Sequence, residues 1–270
     1  MYYYVFEQPE NKKIEKLQEK IRINLEELRI IGEVTKANPV QKPEELVASG
    51  ITKGYNTIVL VGSDALISRM ATYVVGRDVT LGMIPTDEKS SLAKLIGAKN
   101  PNHACEILPF RRIIEIDIGK IEDDKYFLSK IDLVPAIEKG IGPKAADLDS
   151  ASSIIDFDDY KAQVRASRIS VENGQLDTKD FALIKKSFTD GILEIYTAPA
   201  LQKKRGFMAK IFKKEEEPES FTSMFHSNKF RISASPLMAV ISGDKIIART
   251  PVEFSIVPNA LKIIVSRTKE

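Results

Sequence analysis

The sequence holds one cysteine, Cys105, in 270 residues, which excludes an internal disulfide and a cysteine-ligated metal cluster. Two histidines, His103 and His226, are too few for histidine-rich zinc chemistry. No apolar run approaches the roughly 18 residues of a membrane span. The apolar start, Met1 to Phe6, is too short for a signal-peptide core, and Glu7 and Glu10 follow it. Net charge is lacking as well. Forty Lys and Arg against 38 Asp and Glu leave +2, so no global field draws the chain onto nucleic acid. What is there, 43% hydrophobic and 29% charged residues, is the mix of a soluble globular protein, expected in the cytoplasm. At about 150 residues per domain the length suits one large unit or two modest ones.

Near neutrality hides a local asymmetry. Lys203, Lys204, Arg205, Lys210, Lys213 and Lys214 crowd one stretch without an acid, and Glu215, Glu216, Glu217 and Glu219 follow at once. On a helix Phe207, Met208, Ile211 and Phe212 would share one side, with most of the cations on the remaining arc. Such a helix suits the surface of an anionic membrane, with the protein peripheral to it. A helix packed on its own domain, with a solvated cationic edge, fits the same pattern.

The first hundred residues alternate between strand and helix patterns. Tyr2–Phe6 is aromatic and β-branched, a strand. Ile14, Leu17, Ile21, Leu25 and Leu28 recur at helical steps and predict an amphipathic helix packed on a sheet. Ile31 to Thr35 reads as a second strand, and Pro43 opens a helix whose first turn carries Glu44 and Glu45. The continuous apolar run Thr57 to Val61 predicts a buried parallel strand. A helix from about Ala65 to Val75, a strand Thr80 to Ile84, and a helix from Pro85 to near Gly97 follow. This is a doubly wound sheet, whose ligands bind beyond the carboxyl ends of its strands. After about Arg111 the pattern turns to mostly antiparallel β. Strands are expected at Ile113 to Ile118, Tyr126 to Leu133, Gln163 to Val171, Gly191 to Thr197, Phe230 to Ala234, Met238 to Ile241 and Lys245 to Thr250. Val252 to Val257 and Leu261 to Val265 flank a Pro258-Asn259-Ala260 turn, and Glu138 to Asp159 reads as loop or poorly packed helix. The fold class is therefore an α/β N-terminal doubly wound domain, residues 1–110, followed by a mostly antiparallel β-sandwich domain, residues 111–270. A return of the C-terminal strands to the first unit stays open.

The stretches IVLVGSDALI and GRDVTLGMIPTDEKSSLAKLIG, within residues 58–97, resemble the catalytic domain of the diacylglycerol kinase family, which includes bacterial soluble lipid kinases and sphingosine kinases. The resemblance continues in family order through RIIEIDIGKIEDDKYFL, TDGILEIY, SGD and TPVEFSIVPNALKIIV. It implies a nucleotide-binding α/β domain with a β-sandwich, and phosphorylation of a lipid hydroxyl by ATP with Mg²⁺. The family's glycine-rich phosphate loop falls on Gly62, Ser63, Asp64, Ala65 and Leu66, which keep the first Gly and the Asp. Thr35 matches a nucleotide-side Thr. The second loop falls on Asp87, Glu88, Lys89, Ser90 and Ser91, placing Glu88 on the nucleotide side, where its charge repels phosphate, while Thr86 or Asp87 caps the helix from within. The first-strand motif falls on residues 7–11 and keeps only Pro9.

The family's catalytic carboxylate falls on Asp244 in Ser242-Gly243-Asp244, one methylene shorter than the family's Glu; as a general base it must reach its proton at about 3 Å. An ordinary hairpin turn reads the same way. Asp190, with backbone oxygens near Ser187 and Ile192, matches a structural Mg²⁺ position, although Asp-Gly is also a common turn. Asp156, Asp158 and Asp159 lack calcium-loop spacing and suit a solvated turn. His226 has no evident partner in the sequence. The changed loops leave a second function open, a non-catalytic relative that binds lipid or a partner.

Overall fold

The computed structural model describes residues 1–122, 125–136, 150–176, 178, 180–199, 223–242 and 245–267. The chain opens with β1 (Tyr2–Phe6), α1 (Lys12–Glu27), β2 (Gly32–Lys36), α2 (Pro43–Thr52), β3 (Thr57–Gly62), α3 (Asp64–Tyr73) and β4 (Thr80–Pro85). The helix starts are signalled locally. Asn11 accepts the amides of Lys13 and Ile14, Pro43 opens α2, and Ser63 Oγ accepts the Leu66 amide. β1, β3 and β4 are buried along their whole length, as strands covered on both faces should be. They lie parallel in the order β2-β1-β3-β4, which brings the ends of β1, β3 and β4 to one edge of the sheet.

α4 (Ser91–Leu95), α5 (Pro101–Ile107) and a single turn of 3-10 helix at Leu108–Phe110 close this half. The helix expected from Pro85 begins only at Ser91, and its cap is Ser90, whose Oγ accepts the Ala93 amide, not Thr86 or Asp87. Thr86 still follows the sheet, its amide donating to Gly62 O at 2.9 Å, while Asp87 turns toward α3.

The second half contains β5 (Ile113–Ile121), β6 (Lys125–Phe127), β7 (Lys130–Pro135), β8 (Ala151–Asp156), β9 (Lys161–Ala166), β10 (Arg168–Glu172), α6 (Phe181–Ser187) and β11 (Leu193–Ala198). β12 (Ser223–Ser227), β13 (Lys229–Ser235), β14 (Met238–Ser242), β15 (Lys245–Arg249) and β16 (Val252–Ile264) complete it. A mixed ten-stranded sheet continues from β4 through β16, β13, β8 and β9, with β5 and β6 alongside. An antiparallel six-stranded sheet, β12-β11-β10-β7-β14-β15, packs on its sandwich part. The fold is α/β with a second, all-antiparallel sheet.

Several strands differ from the sequence reading. The runs at 126–133 and 163–171 each split, with β6 and β9 in the large sheet and β7 and β10 in the small one. Both layers point residues such as Phe127, Ile131, Ala166 and Ile169 into one core, so apolar spacing runs across the crossover without a break. Residues 151–156 form a strand, not a loop. Ala151, Ser153 and Ile155 are buried in strict alternation, but Ala and Ser carry too little hydrophobic signal to reveal it. Pro258, Asn259 and Ala260 do not reverse the chain. β16 runs straight through them, with a register shift between Val257 and Leu261 against β5 and a left-handed Asn259 at φ 52°.

β16 thereby belongs to two neighbourhoods. Val252 to Ser255 pair antiparallel with β13 in the sandwich, and Lys262 and Ile263 pair parallel with β4. Its last residues, with Ile184 and Phe188 of the α6 segment, are buried in the core of the α/β half.

Candidate functional site

The carboxyl ends of β1, β3 and β4 carry three carboxylates aimed at one another's loops. Glu7 follows β1. Its Oε2 accepts the Ser63 amide at 2.6 Å and its Oε1 accepts the Ser63 hydroxyl at 2.9 Å. Gly62 makes this approach feasible, since a Cβ there would lie 2.6 Å from Glu7 Oε2 and 2.8 Å from Glu7 Cβ. Gln18 of α1 anchors the same residue by donating to Glu7 O at 2.8 Å. Asp87, after β4, accepts the Asp64 amide through Oδ2 at 2.7 Å. Asp64 in turn crosses to α4. Its Oδ2 accepts the Ser91 amide at 2.7 Å, the Ser91 hydroxyl at 2.9 Å and the Leu92 amide at 3.3 Å, and its Oδ1 accepts the Ser90 hydroxyl at 2.5 Å.

The other residues expected on the nucleotide side divide. Ala65 is exposed in the first turn of α3, but Leu66 is 3% exposed, a core residue whose amide serves the Ser63 cap. Thr35 sits on β2, two strands from the loop, and donates its hydroxyl to Tyr4 O at 2.8 Å. Glu88 is exposed and ion-paired with Lys13 at the start of α1, and that hydrogen bond holds its carboxyl below the usual range. A cavity of about 300 Å³ lined by Gln8, Pro9, Lys36, Ala37 and Asn38 opens at the same end of the sheet.

In this arrangement a nucleotide phosphate has to compete with carboxylates for the loop amides. Loop amides at a strand-to-helix junction are the usual donors to such anions, and those of Ser63 and Asp64 already face carboxylates. A phosphate about 5 Å from the Glu7 carboxylate would meet about 3 kcal/mol of repulsion per unit charge at the effective dielectric of a protein surface.

Asp190 and Ile192 lie on the turn between α6 and β11, and Ser187 is the last residue of α6. Asp190 Oδ1 accepts the Ile192 amide at 3.0 Å, and Ser187 Oγ donates to Ile184 O and accepts the Gln175 amide. Partial burial holds the Asp190 pKa above the usual range; the Ile192 amide lowers it, while Glu194 and Asp117 raise it further. Mg²⁺ takes oxygen ligands, and the Asp190 carboxylate is one such oxygen donor, with its Oδ1 already accepting an amide. Among the described residues no three His, Cys, Asp or Glu side chains gather into a metal cluster. Asp244 and residues 203–214 lie outside the described residues.

Sequence reasoning passed over Asp117. It is 2% exposed on β5, and its Oδ1 and Oδ2 accept the amides of Asn259 and Gly191. Its signal was an acid within the alternating Ile116-Asp117-Ile118 pattern. His226 also has a neighbour that the sequence did not show. It lies opposite Glu194 on β11, with Nε2 3.9 Å from Oε1. Asp156 sits at the β8–β9 hairpin and pairs with Lys161 at 2.7 Å, a solvated turn.

A family model described as the diacylglycerol kinase catalytic domain matches residues 5–121. A Mycobacterium tuberculosis protein named diacylglycerol kinase is 31% identical over 103 residues, 37% of this chain and 30% of that protein's length. An uncharacterised Synechocystis protein is 24% identical over 241 residues, 78% of this chain and 55% of that one. The chain thus spans between 30% and just over half the length of these relatives. The crystal structure of a diacylglycerol kinase from Bacillus anthracis superimposes with a TM-score of 0.71 at 15% identity, covering 98% of this chain and 97% of that one, a likeness of fold. No described helix is long and apolar enough to cross a membrane.

Proposed function

We propose that the protein, whose residues 5–121 match the diacylglycerol kinase catalytic-domain model, is a diacylglycerol kinase-like phosphotransferase that phosphorylates a lipid hydroxyl, with ATP as donor. The observation that carries this reading is the position of Gly62, Ser63 and Asp64. They stand inside the matched region, at the β3–α3 junction, where open α/β sheets take their ligands. On the acceptor side the proposal assigns proton removal from the lipid hydroxyl to Asp244. Asp190 and the backbone around Ser187 and Ile192 form the Mg²⁺-binding turn, and the cationic stretch from Lys203 to Lys214 meets an anionic lipid surface.

A second reading, a non-catalytic lipid- or partner-binding relative, is supported by the carboxylates on the amides of Ser63 and Asp64. Calorimetry with Mg-ATP and Mg-ADP, followed by γ-phosphate transfer to diacylglycerol in mixed micelles, separates the two. Transfer that falls by about 100-fold or more in Asp244→Asn, on the scale of a lost general base, supports the kinase. No heat at millimolar nucleotide together with no transfer removes the kinase and leaves the second reading. Sedimentation with anionic and neutral vesicles tests the docking segment, and equal binding to both removes it.

A further inference from the structure

From these contacts we infer that Glu7 and Asp87 set the donor-side specificity of this loop as built-in anions. They hold the amides of Ser63 and Asp64 against phosphate, and their side chains decide how strongly any phosphate-bearing ligand binds there. The inference rests on the donor-side role proposed above for the 62–66 loop.

Each backbone N–H has one hydrogen to give, so a loop amide that donates to a carboxylate is lost to a ligand. Two successive amides are taken in this way by residues from two different strand ends. The Glu7 contact is doubled, since the same carboxylate receives the Ser63 hydroxyl, and that hydroxyl oxygen caps α3 by accepting the Leu66 amide at 3.2 Å. Withdrawing Glu7 therefore frees the Ser63 amide and hydroxyl together and leaves the helix cap intact. Asp87 is exposed and reaches in from solvent, while Glu7 is half-buried. The pair thus forms an outer and an inner block on one loop. Asp64 is not part of it. Its carboxylate faces Ser90, Ser91 and Leu92 and serves the start of α4. Charge and occupancy act in the same direction, because a ligand phosphate must displace the carboxylates and then endure their field at short range.

Glu7→Gln and Asp87→Asn keep the side-chain size and an acceptor oxygen while removing the charge. The probes are Mg-ADP, Mg-ATP and inorganic tripolyphosphate, read by calorimetry and by the backbone amide resonances of Ser63 and Asp64. Wild-type protein is expected to bind them weakly and without moving these resonances. Each single variant gains about tenfold in affinity, the double variant more, and the Ser63 and Asp64 resonances move on titration.

Two results overturn the inference. One is wild-type protein that binds nucleotide with both resonances shifting; the other is folded variants, with wild-type circular dichroism, that show no gain. The wild-type titration keeps the test valid if the double variant fails to fold. Lipid phosphorylation is measured in parallel. A gain in binding without transfer in any variant leaves the inference standing and removes the kinase reading, whereas wild-type transfer with no binding gain does the reverse.

Discussion

Asp64 holds two helices with one carboxylate. It begins α3, and its two oxygens accept four hydrogen bonds from Ser90, Ser91 and Leu92 at the start of α4. Asp64→Ala leaves two amides and two hydroxyls without their acceptor, and bonds to a charged group outweigh neutral ones. The expected cost is about 2–3 kcal/mol in urea unfolding, with Asp64→Asn losing about half as much. An Asp after a strand and before a helix was visible in the sequence as a nucleotide-side candidate or a helix cap. Its true target was not visible, because the helix it caps is the next one, 27 residues along at Ser91. Glu7 was less legible still. Nothing near it in sequence distinguishes it from a solvated acid, and its partner Ser63 is 56 residues away.

Among the elements, the side of the small sheet turned away from the shared core assembles charge from several strands. Glu172 of β10 stands between Lys130 of β7 and Glu194 of β11, with Asp132 of β7 close by and His226 of β12 beyond Glu194. Burial pushes the Glu172 carboxyl above its ordinary value of 4.5; Lys130 opposes this, and Glu194 and Asp132 reinforce it. A carboxyl that holds its proton more tightly when folded stabilises the fold in acid. That contribution is complete below the unfolded pKa and is lost as pH rises through the folded one. Glu172→Gln should therefore gain on wild type as pH climbs from 4 to 7, read as a widening difference in urea midpoint. A constant difference across that range would contradict the assignment. These strands were largely legible by alternation, but their neighbours were not, since β7, β10 and β11 are brought together from three separate stretches of chain.

On the scale of the whole molecule, β16 ties the two halves together. It supplies the parallel neighbour of β4 and places Leu261, Ile263, Ile264 and Val265 in the core of the α/β half, which Ile116 and Phe188 also enter. A fragment of residues 1–110 should therefore lack a cooperative thermal transition by circular dichroism. It would expose the edge of β4 and lose part of its core at about 25 cal/mol per Å² of apolar surface. A sharp melt of that fragment would show that the α/β half stands alone. The sequence by itself determined the alternation of strands and helices in the first half and the mostly antiparallel second half. These follow from hydrophobic period, which neighbours in sequence decide. Only the tertiary structure decided which strands share a sheet, that β16 continues through Pro258, and that the loop amides of Ser63 and Asp64 face Glu7 and Asp87. Those outcomes depend on groups that meet only when distant strand ends arrive at one edge of the sheet. The near-zero net charge gave no hint that several of its acids would gather there.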